Sequence, residues 1–539
     1  HLTDDDLAKL RRGGHDYRKV YAAYKAATEH RGAPTVILAK TVKGWTLGPG
    51  VEARNITHQA KKLSEAELRI FRDRLELPIP DAQLKDAPYY HPGPDSEEVQ
   101  YLQERRRLLD GPLPKRVVRS SPLPAPKPGF DAEFAEGSTT PVSTTMAFTR
   151  LLRNLIRDPD LGPRIVPIIP DEARTFGLDP LFNEVGIYAS GGQRYEPVDS
   201  ELVMKYREAV DGQVLEEGIS EAGSVASFTA AATAYATLAH PMIPFYIFYS
   251  MFGFQRTGDQ IWAAGDARAR GFLMGATAGR TTLAGEGLQH DDGHTHVLAS
   301  TLPNVRQYDP AFAFELAVVV RDGIERMYGR GEDVLYYITL YNENYAQAPK
   351  PPGVDDGLIR GIYRFAPAPR LKKGAHRVRL AGSGSILQEV IAAQALLADR
   401  FGVAAEVYSA PSFALLRRDG LAVDRWNRLH PAEPPRIPYV AQVLTATGGP
   451  VIAASDWMAA IPQGVAPWVP APFVALGTDG FGRSDTRESL RAYFEIDAAS
   501  VAAAAMSALA RDGRITPDAA AAAIAELGID PEKASPQFE

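Results

Sequence analysis

The chain has 539 residues, 45% of them hydrophobic and 23% charged, with a formal net charge of -7 and a pI near 6.0. Such a length suits two or three domains, and the acidic balance gives no general pull toward nucleic acid or anionic membrane. The absence of cysteine excludes disulfides, thiolate catalysis and cysteine-bound zinc and fits a reducing cytoplasm; no apolar run approaches the roughly 20 residues that span a bilayer.

The first residue is His1, and the charged, amphipathic stretch 2–12 is no signal peptide. It suggests instead that residues are missing ahead of it. Gly13-Gly14-His15-Asp16 offers a turn and cap for a helix carrying Val20, Tyr21, Tyr24 and Ala27. Residues 34–39 form a short, unbroken apolar run, the pattern of a strand buried on both faces of a parallel sheet. One helix and one strand cannot make a domain, so residues 1–62 are expected to be the last piece of an α/β domain. Across 63–137 the chain is charged and then proline-rich; Pro112, Pro114, Pro122, Pro124, Pro126 and Pro128 make an extended connector.

Helix and strand then alternate. Ser143 is placed to cap a helix bearing Met146, Leu151, Leu152, Leu155 and Ile156. Strands are expected at 165–169, 243–249, 272–276 and 334–340, with helices at 224–237 and 311–327. A second proline connector at 346–353 is followed by expected strands at 378–381, 403–408, 451–454 and 473–477 and a helix at 498–510. This rhythm implies two α/β domains with parallel sheets, at 138–348 and 349–539.

Open α/β sheets bind ligands beyond the carboxyl ends of their strands, so residues just after strands are the chemical candidates. Asp171-Glu172 follows 165–169; the two acids can work as acid and base, though the charge pattern favours a helix cap. Glu221 falls in the first turn of a helix entered through Gly218, where the plain reading is a carboxylate stabilising the helix dipole. The aromatic segment 249–256 begins where a strand stops. Such clusters are usually core, yet the glycine among these rings leaves room for some to face a cleft. Residues 285–296 hold His290, His294 and His296 with Glu286, Asp291 and Asp292. Histidine with carboxylate suits zinc or iron, but Gly293 spoils a helical ligand pair. A proton-managing histidine is favoured, and no metal ligand is assigned. Gly44, Gly48 and Gly50 ahead of the polar segment 52–62 fit a loop that orders over a ligand, though the residues alone favour an ordinary surface loop.

Together and in this order, these segments resemble the homodimeric bacterial type of pyruvate dehydrogenase E1. The resemblance runs from Arg11-Arg12-Gly13-Gly14-His15-Asp16 to nearly the last residue. It passes through Lys40-Thr41-Val42-Lys43-Gly44, Ile56-Thr57-His58-Gln59, 170–177, 241–246, 250–256, 285–292, 477–485 and 494–497. It implies tandem parallel-sheet α/β domains like the pyrimidine-binding and C-terminal domains of transketolase-like thiamine diphosphate enzymes, preceded by a remnant of the pyrophosphate-binding domain. It also implies oxidative decarboxylation of pyruvate with acetyl transfer to the lipoyl group of an E2 dihydrolipoyl acetyltransferase, in a homodimer. Glu221, in a Gly-Ile-Ser-Glu pattern, matches the cofactor-activating acid. Tyr249 and Phe252 match the rings around the aminopyrimidine, and Ile219 and Arg256 complete the cofactor set. Asp171 and Glu172 match acids near the reacting centre, and His290 an active-site histidine. His58 matches the mobile-loop histidine of acetyl transfer, and Lys43 a lysine near the cofactor.

In this family a Gly-Asp-Gly stretch followed by Asn holds Mg2+ and the diphosphate. No such motif is found; Thr478-Asp479-Gly480 is the nearest, in the wrong domain. The chain is therefore expected to be a C-terminal fragment that carries the pyrimidine half of the site, binds cofactor weakly and is inactive alone. The alternatives are another thiamine diphosphate enzyme, such as a transketolase or a different 2-oxoacid dehydrogenase, and a scaffold that dimerises or docks E2 without chemistry.

Overall fold

The computed structural model describes residues 3–9, 13–111, 118–127, 129–170, 173, 175–198 and 206–538. The chain divides into two compact units, His1–Arg116 and Val117–Glu539.

In the first unit the principal helices are Tyr17–Glu29, Glu65–Arg74 and Glu97–Leu108. Each begins on a side-chain cap. Asp16 accepts from the Arg18 and Lys19 amides, Ser64 and Glu67 form a reciprocal capping box, and Ser96 accepts from Val99. Residues 34–39 are not a strand. They are extended but unpaired, with Val36 82% and Leu38 91% exposed. A doubly buried strand needs neighbours on both edges, and no described residue of this unit pairs with it. His15 stacks on Trp45 at 4.6 Å and its Nε2 accepts the Val42 amide at 2.7 Å, which ties the end of this run to the turn at residue 15.

The second unit holds two parallel-sheet domains. The first sheet comprises β1 (Ile165–Ile169), β2 (Leu215–Glu216), β3 (Ile243–Tyr249), β4 (Gly271–Ala276), β5 (Val305–Tyr308) and β6 (Leu335–Thr339). Their order is β2-β1-β3-β4-β6-β5, every pair parallel. The second sheet comprises β7 (Tyr363–Ala366), β8 (Arg377–Gly382), β9 (Ala404–Ser409), β10 (Val451–Ala454) and β11 (Phe473–Leu476), in the order β7-β9-β8-β10-β11 with β7 antiparallel. The central strands are buried throughout because helices cover both faces: β1 and β4 contain no exposed residue. Among those helices are α1 (Thr144–Ile156), α2 (Glu221–Thr237), α3 (Gly253–Asp266), α4 (Ala313–Ile324), α5 (Leu387–Phe401), α6 (Phe413–Leu429) and α7 (Ala498–Arg511). Ser143 caps α1 through the Met146 amide, as its position suggests.

The stretch Arg487–Arg511 is long and apolar enough, by length and composition, to cross a membrane. It is two helices, Arg487–Tyr493 and α7, separated where Asp497 caps the second. Half of its most apolar 18-residue window is buried, and α7 packs against α5 and β10. It serves as a core helix of the second sheet.

Candidate active site

Because all six strands of the first sheet run the same way, their carboxyl ends share one edge, and the segments after β1 to β4 meet there. After β1, Asp171 and Glu172 lie outside the described residues. Phe176, from the same segment, packs edge-on against Tyr249 at 5.2 Å. After β2 the chain turns through Gly218, whose φ of +78° suits glycine, to Ser220, which caps α2 through the Gly223 amide. Glu221 is thus the first residue of α2, its side chain 12% exposed, while Ile219 before it is 81% exposed.

After β3 the chain makes one tight turn, Ser250–Phe252, before α3. Gly253 is required there, since a Cβ would run into the buried Phe248 ring. The turn brings Tyr249 and Phe252 together, 6.1 Å apart. One helical turn on, Arg256 lies over the Phe252 ring at 4.1 Å and donates to Glu221 Oε1 at 2.8 Å. No other hydrogen bond to the Glu221 carboxylate forms among the described residues. The neighbouring Tyr246 hydroxyl is buried without a partner; burial first, and then the Glu221 charge, push its pKa up.

After β4 comes the histidine-rich segment. His290 packs against both Tyr249 and Phe252, with ring centroids 5.2 and 5.3 Å away. Its Nδ1 is buried without a hydrogen bond, 3.9 Å from Glu286 Oε2. The segment is pinned to the start of α3: Ser250 donates to Asp292 Oδ2 at 2.5 Å, and Gln255 to Thr295 Oγ1 at 2.9 Å. Asp292 Oδ1 in turn accepts the amides of His294 and Thr295, starting the short helix Thr295–Ala299 where the sequence suggested only loop. His296 is buried against Gln307, and burial pushes its pKa down. Among the described residues no three His, Asp or Glu side chains converge as a metal site.

The structure therefore gathers Glu221, Tyr249, Phe252, Arg256 and His290 into one continuous set of contacts. Ile219 is next to them in sequence but projects outward. Lys43 and His58 belong to the first unit, where Lys43 Nζ meets His58 Nδ1 at 2.6 Å and both side chains are exposed. An ammonium group can only donate, so Nδ1 accepts and the ring proton sits on Nε2.

Two further residues matter here: Arg280, which the sequence did not single out, and Asp291, which appeared only among the acids of the histidine-rich segment. Asp291 is buried, and its pKa is raised to about 7 by that burial, with the carboxylates of Asp456 and Glu286 adding and Arg280 opposing. Arg280 reaches the second sheet domain, donating to the carbonyls of Thr478 and Gly480, and Ser484 donates to the Glu286 carbonyl at 2.9 Å. The segment 477–485 thus braces the His290 segment. The run of two acids after His290 was the only sequence signal for it. Chemically, the edge offers aromatic faces for a flat ring, a carboxylate and a guanidinium at the rim, and an imidazole nitrogen with no partner of its own.

Residues 129–348 match the family model of the pyruvate dehydrogenase E1 component middle domain, and 361–497 that of the transketolase-like TK C-terminal domain. The chain is 54% identical over 537 residues to the pyruvate dehydrogenase E1 component of Pseudomonas aeruginosa, covering 99% of this chain and 60% of that protein. It is 51% identical to that of Mycobacterium tuberculosis (99% and 58% covered) and 48% identical to that of Escherichia coli K12 (99% and 60%). The chain thus spans about 60% of the length of the curated relatives it matches. Among solved structures it is similar to transketolase from Campylobacter jejuni, with a TM-score of 0.60, 17% identity and coverage of 92% of this chain and 66% of that one. Transketolase from Leishmania mexicana gives 0.59, 16%, 93% and 66%. At these identities the likeness is one of fold: a transketolase-like α/β arrangement.

Proposed function

The chain belongs to the pyruvate dehydrogenase E1 component family, and from that premise we propose that it carries the aminopyrimidine side of a thiamine diphosphate site. That site serves the oxidative decarboxylation of pyruvate and the transfer of the acetyl group to the lipoyl group of an E2 dihydrolipoyl acetyltransferase. The carrying observation is the Arg256 side chain, which joins the Glu221 carboxylate to the Phe252 ring beside Tyr249 and His290. The residues fit the cofactor: the rings suit a flat heterocycle, and His290 Nδ1 is a buried polar atom still lacking a partner.

When bound, thiamine diphosphate supplies the nucleophilic carbon and the electron sink for decarboxylation. The protein's part is orientation and proton handling. Tyr249 and Phe252 hold the pyrimidine face and keep water from it, and Glu221 offers its carboxyl to the ring nitrogen, with Arg256 fixing the rotamer. His290 presents an imidazole nitrogen to the substrate oxygen that gains charge. Asp171 and Glu172 are assigned to the same centre through their place after β1, and Ile219 through its backbone. In the first unit, His58, with Lys43 fixing its tautomer, handles the proton that moves in acetyl transfer to the lipoyl group. No Mg2+ site forms among the described residues, so no step is assigned to a metal held by them. The same reading divides the chain at 62, 137 and 348, and makes it a cytoplasmic homodimer partnered by the lipoyl domain.

The deciding experiment follows carbon dioxide release from pyruvate and acetylation of a lipoyl domain by the full-length enzyme and its Glu221→Ala variant. A fall of about 100-fold or more in both is expected. Retained activity, or sugar transketolation without carbon dioxide release, would remove the assignment.

A further inference from the structure

On the side of the first sheet away from β2, three arginines from different elements line one open cleft of about 320 Å³. Arg306 lies on the edge strand β5, Arg360 ends the helix Asp355–Arg360, and Arg418 lies on α6 of the second sheet domain. The single acid in the lining is Asp419, so three arginines against one aspartate leave two positive charges. Asp419 is itself engaged, accepting the Tyr439 amide at 2.6 Å.

Two of these guanidinium groups have no carboxylate partner among the described residues, and the third has only an exposed one. Arg306 donates from one nitrogen to the Tyr308 hydroxyl at 3.1 Å and the Ile359 carbonyl at 3.5 Å, and its Nε is buried without a partner. Arg418 donates to the Leu302 carbonyl at 2.6 Å. Neither has a carboxylate within 4.0 Å among the described residues. Arg360 lies over the Tyr439 ring at 3.6 Å, and its one carboxylate partner among the described residues is the highly exposed Asp356 at 3.7 Å. Burial pushes the Arg418 pKa down, and the cations of Arg306 and Arg417 push it further. A bound anion would relieve that cost at Arg418.

We propose that this cleft binds the phosphate group of a small phosphorylated metabolite, held between the edge of the first sheet and α6. A carboxylate brings two acceptor oxygens and one charge; a phosphate monoester carries three acceptor oxygens and close to two charges near neutral pH, which better matches three guanidinium groups and a lining two charges positive. The volume fits a small ligand and not a folded partner. The assignment is independent of the thiamine diphosphate reading, because none of these residues belongs to the Glu221 constellation.

The test is equilibrium dialysis of the full chain against inorganic phosphate and, separately, methyl phosphate, with chloride holding ionic strength constant. The chain, its Glu221→Ala variant, Arg360→Gln and Arg418→Met are compared. Expected is saturable binding of one phosphate per chain, unchanged in Glu221→Ala and weakened roughly tenfold or more in each arginine variant, as loss of a charged hydrogen bond requires. Binding of inorganic phosphate but not of the methyl ester would overturn the metabolite assignment in favour of an inorganic-ion site. No saturable binding, or wild-type affinity in Arg360→Gln, would overturn the site altogether. Arg360 is exposed, so its variant decides the matter even if Arg418→Met fails to fold.

Discussion

Arg256 donates to Glu221 at 2.8 Å, which ties the first turn of α3 to the first residue of α2. The pair is asymmetric: the glutamate side chain is 12% exposed and the arginine 49%. The guanidinium also covers the Phe252 ring, so one side chain sets both the acid and the aromatic wall. Replacing it by methionine keeps the stem but loses the charge. Charge-assisted hydrogen bonds are worth roughly 1.5–3 kcal/mol, and the half-exposed arginine belongs at the low end. Arg256→Met is expected to weaken thiamine diphosphate about tenfold in a calorimetric titration; an unchanged affinity would take Arg256 out of the cofactor site.

The Asp291 carboxyl gives stability a particular pH dependence. Its pKa is about 7 in the folded chain and about 3.9 when unfolded. The folded state therefore holds the proton more tightly. Its contribution is complete below pH ~4 and is lost as pH rises toward about 7, where the carboxylate must stay buried near Asp456 and Glu286. Asp291→Asn removes that loss. In thermal melts from pH 5 to pH 8 the variant should gain Tm relative to the native chain toward the alkaline end. Parallel pH profiles for the two proteins would show that Asp291 does not titrate in this window.

How far the sequence carried can be judged from particular segments. Strands such as Ile165–Ile169 and Ile243–Tyr249 were legible because complete burial leaves an unbroken apolar run. Residues 34–39 carry the same signature and are not a strand, since pairing depends on neighbours that local pattern does not contain. The short strand Leu215–Glu216 was legible from its place ahead of the Gly218 turn, whereas the antiparallel edge Tyr363–Ala366 is too short and too mixed to announce itself. At the site, Glu221, Tyr249, Phe252 and His290 stood out as residues after strands. The Arg256 bridge, spanning 35 positions, follows from α2 packing on α3, which no single segment encodes. Asp291 and Arg280 depend on the second sheet domain closing over the first, and periodicity is silent about that.

Gly253 starts α3 with a φ of -65°, outside the left-handed region that favours glycine, so its requirement is steric. A methyl group there meets the Phe248 ring, which is fully buried and packed on Tyr246 and Tyr337. Overpacking of this kind costs roughly 1–3 kcal/mol. Gly253→Ala is expected to lower the Tm and, by shifting Phe252, to weaken the cofactor as well. A fall in Tm with native cofactor affinity would mean that the turn supports the fold without positioning the ring.

In the first unit, Lys43 and His58 form an exposed pair whose geometry leaves the ring proton on Nε2. If His58 manages the proton of acetyl transfer, its loss should separate the two half-reactions. His58→Ala is expected to cut lipoyl-domain acetylation by about 100-fold while carbon dioxide release measured with an artificial electron acceptor stays near native. Lys43→Met should act in the same direction but by less than about tenfold, because an exposed contact contributes at most about 1 kcal/mol. Equal losses in both half-reactions would place His58 in cofactor handling; no loss in either would make the pair an ordinary surface contact.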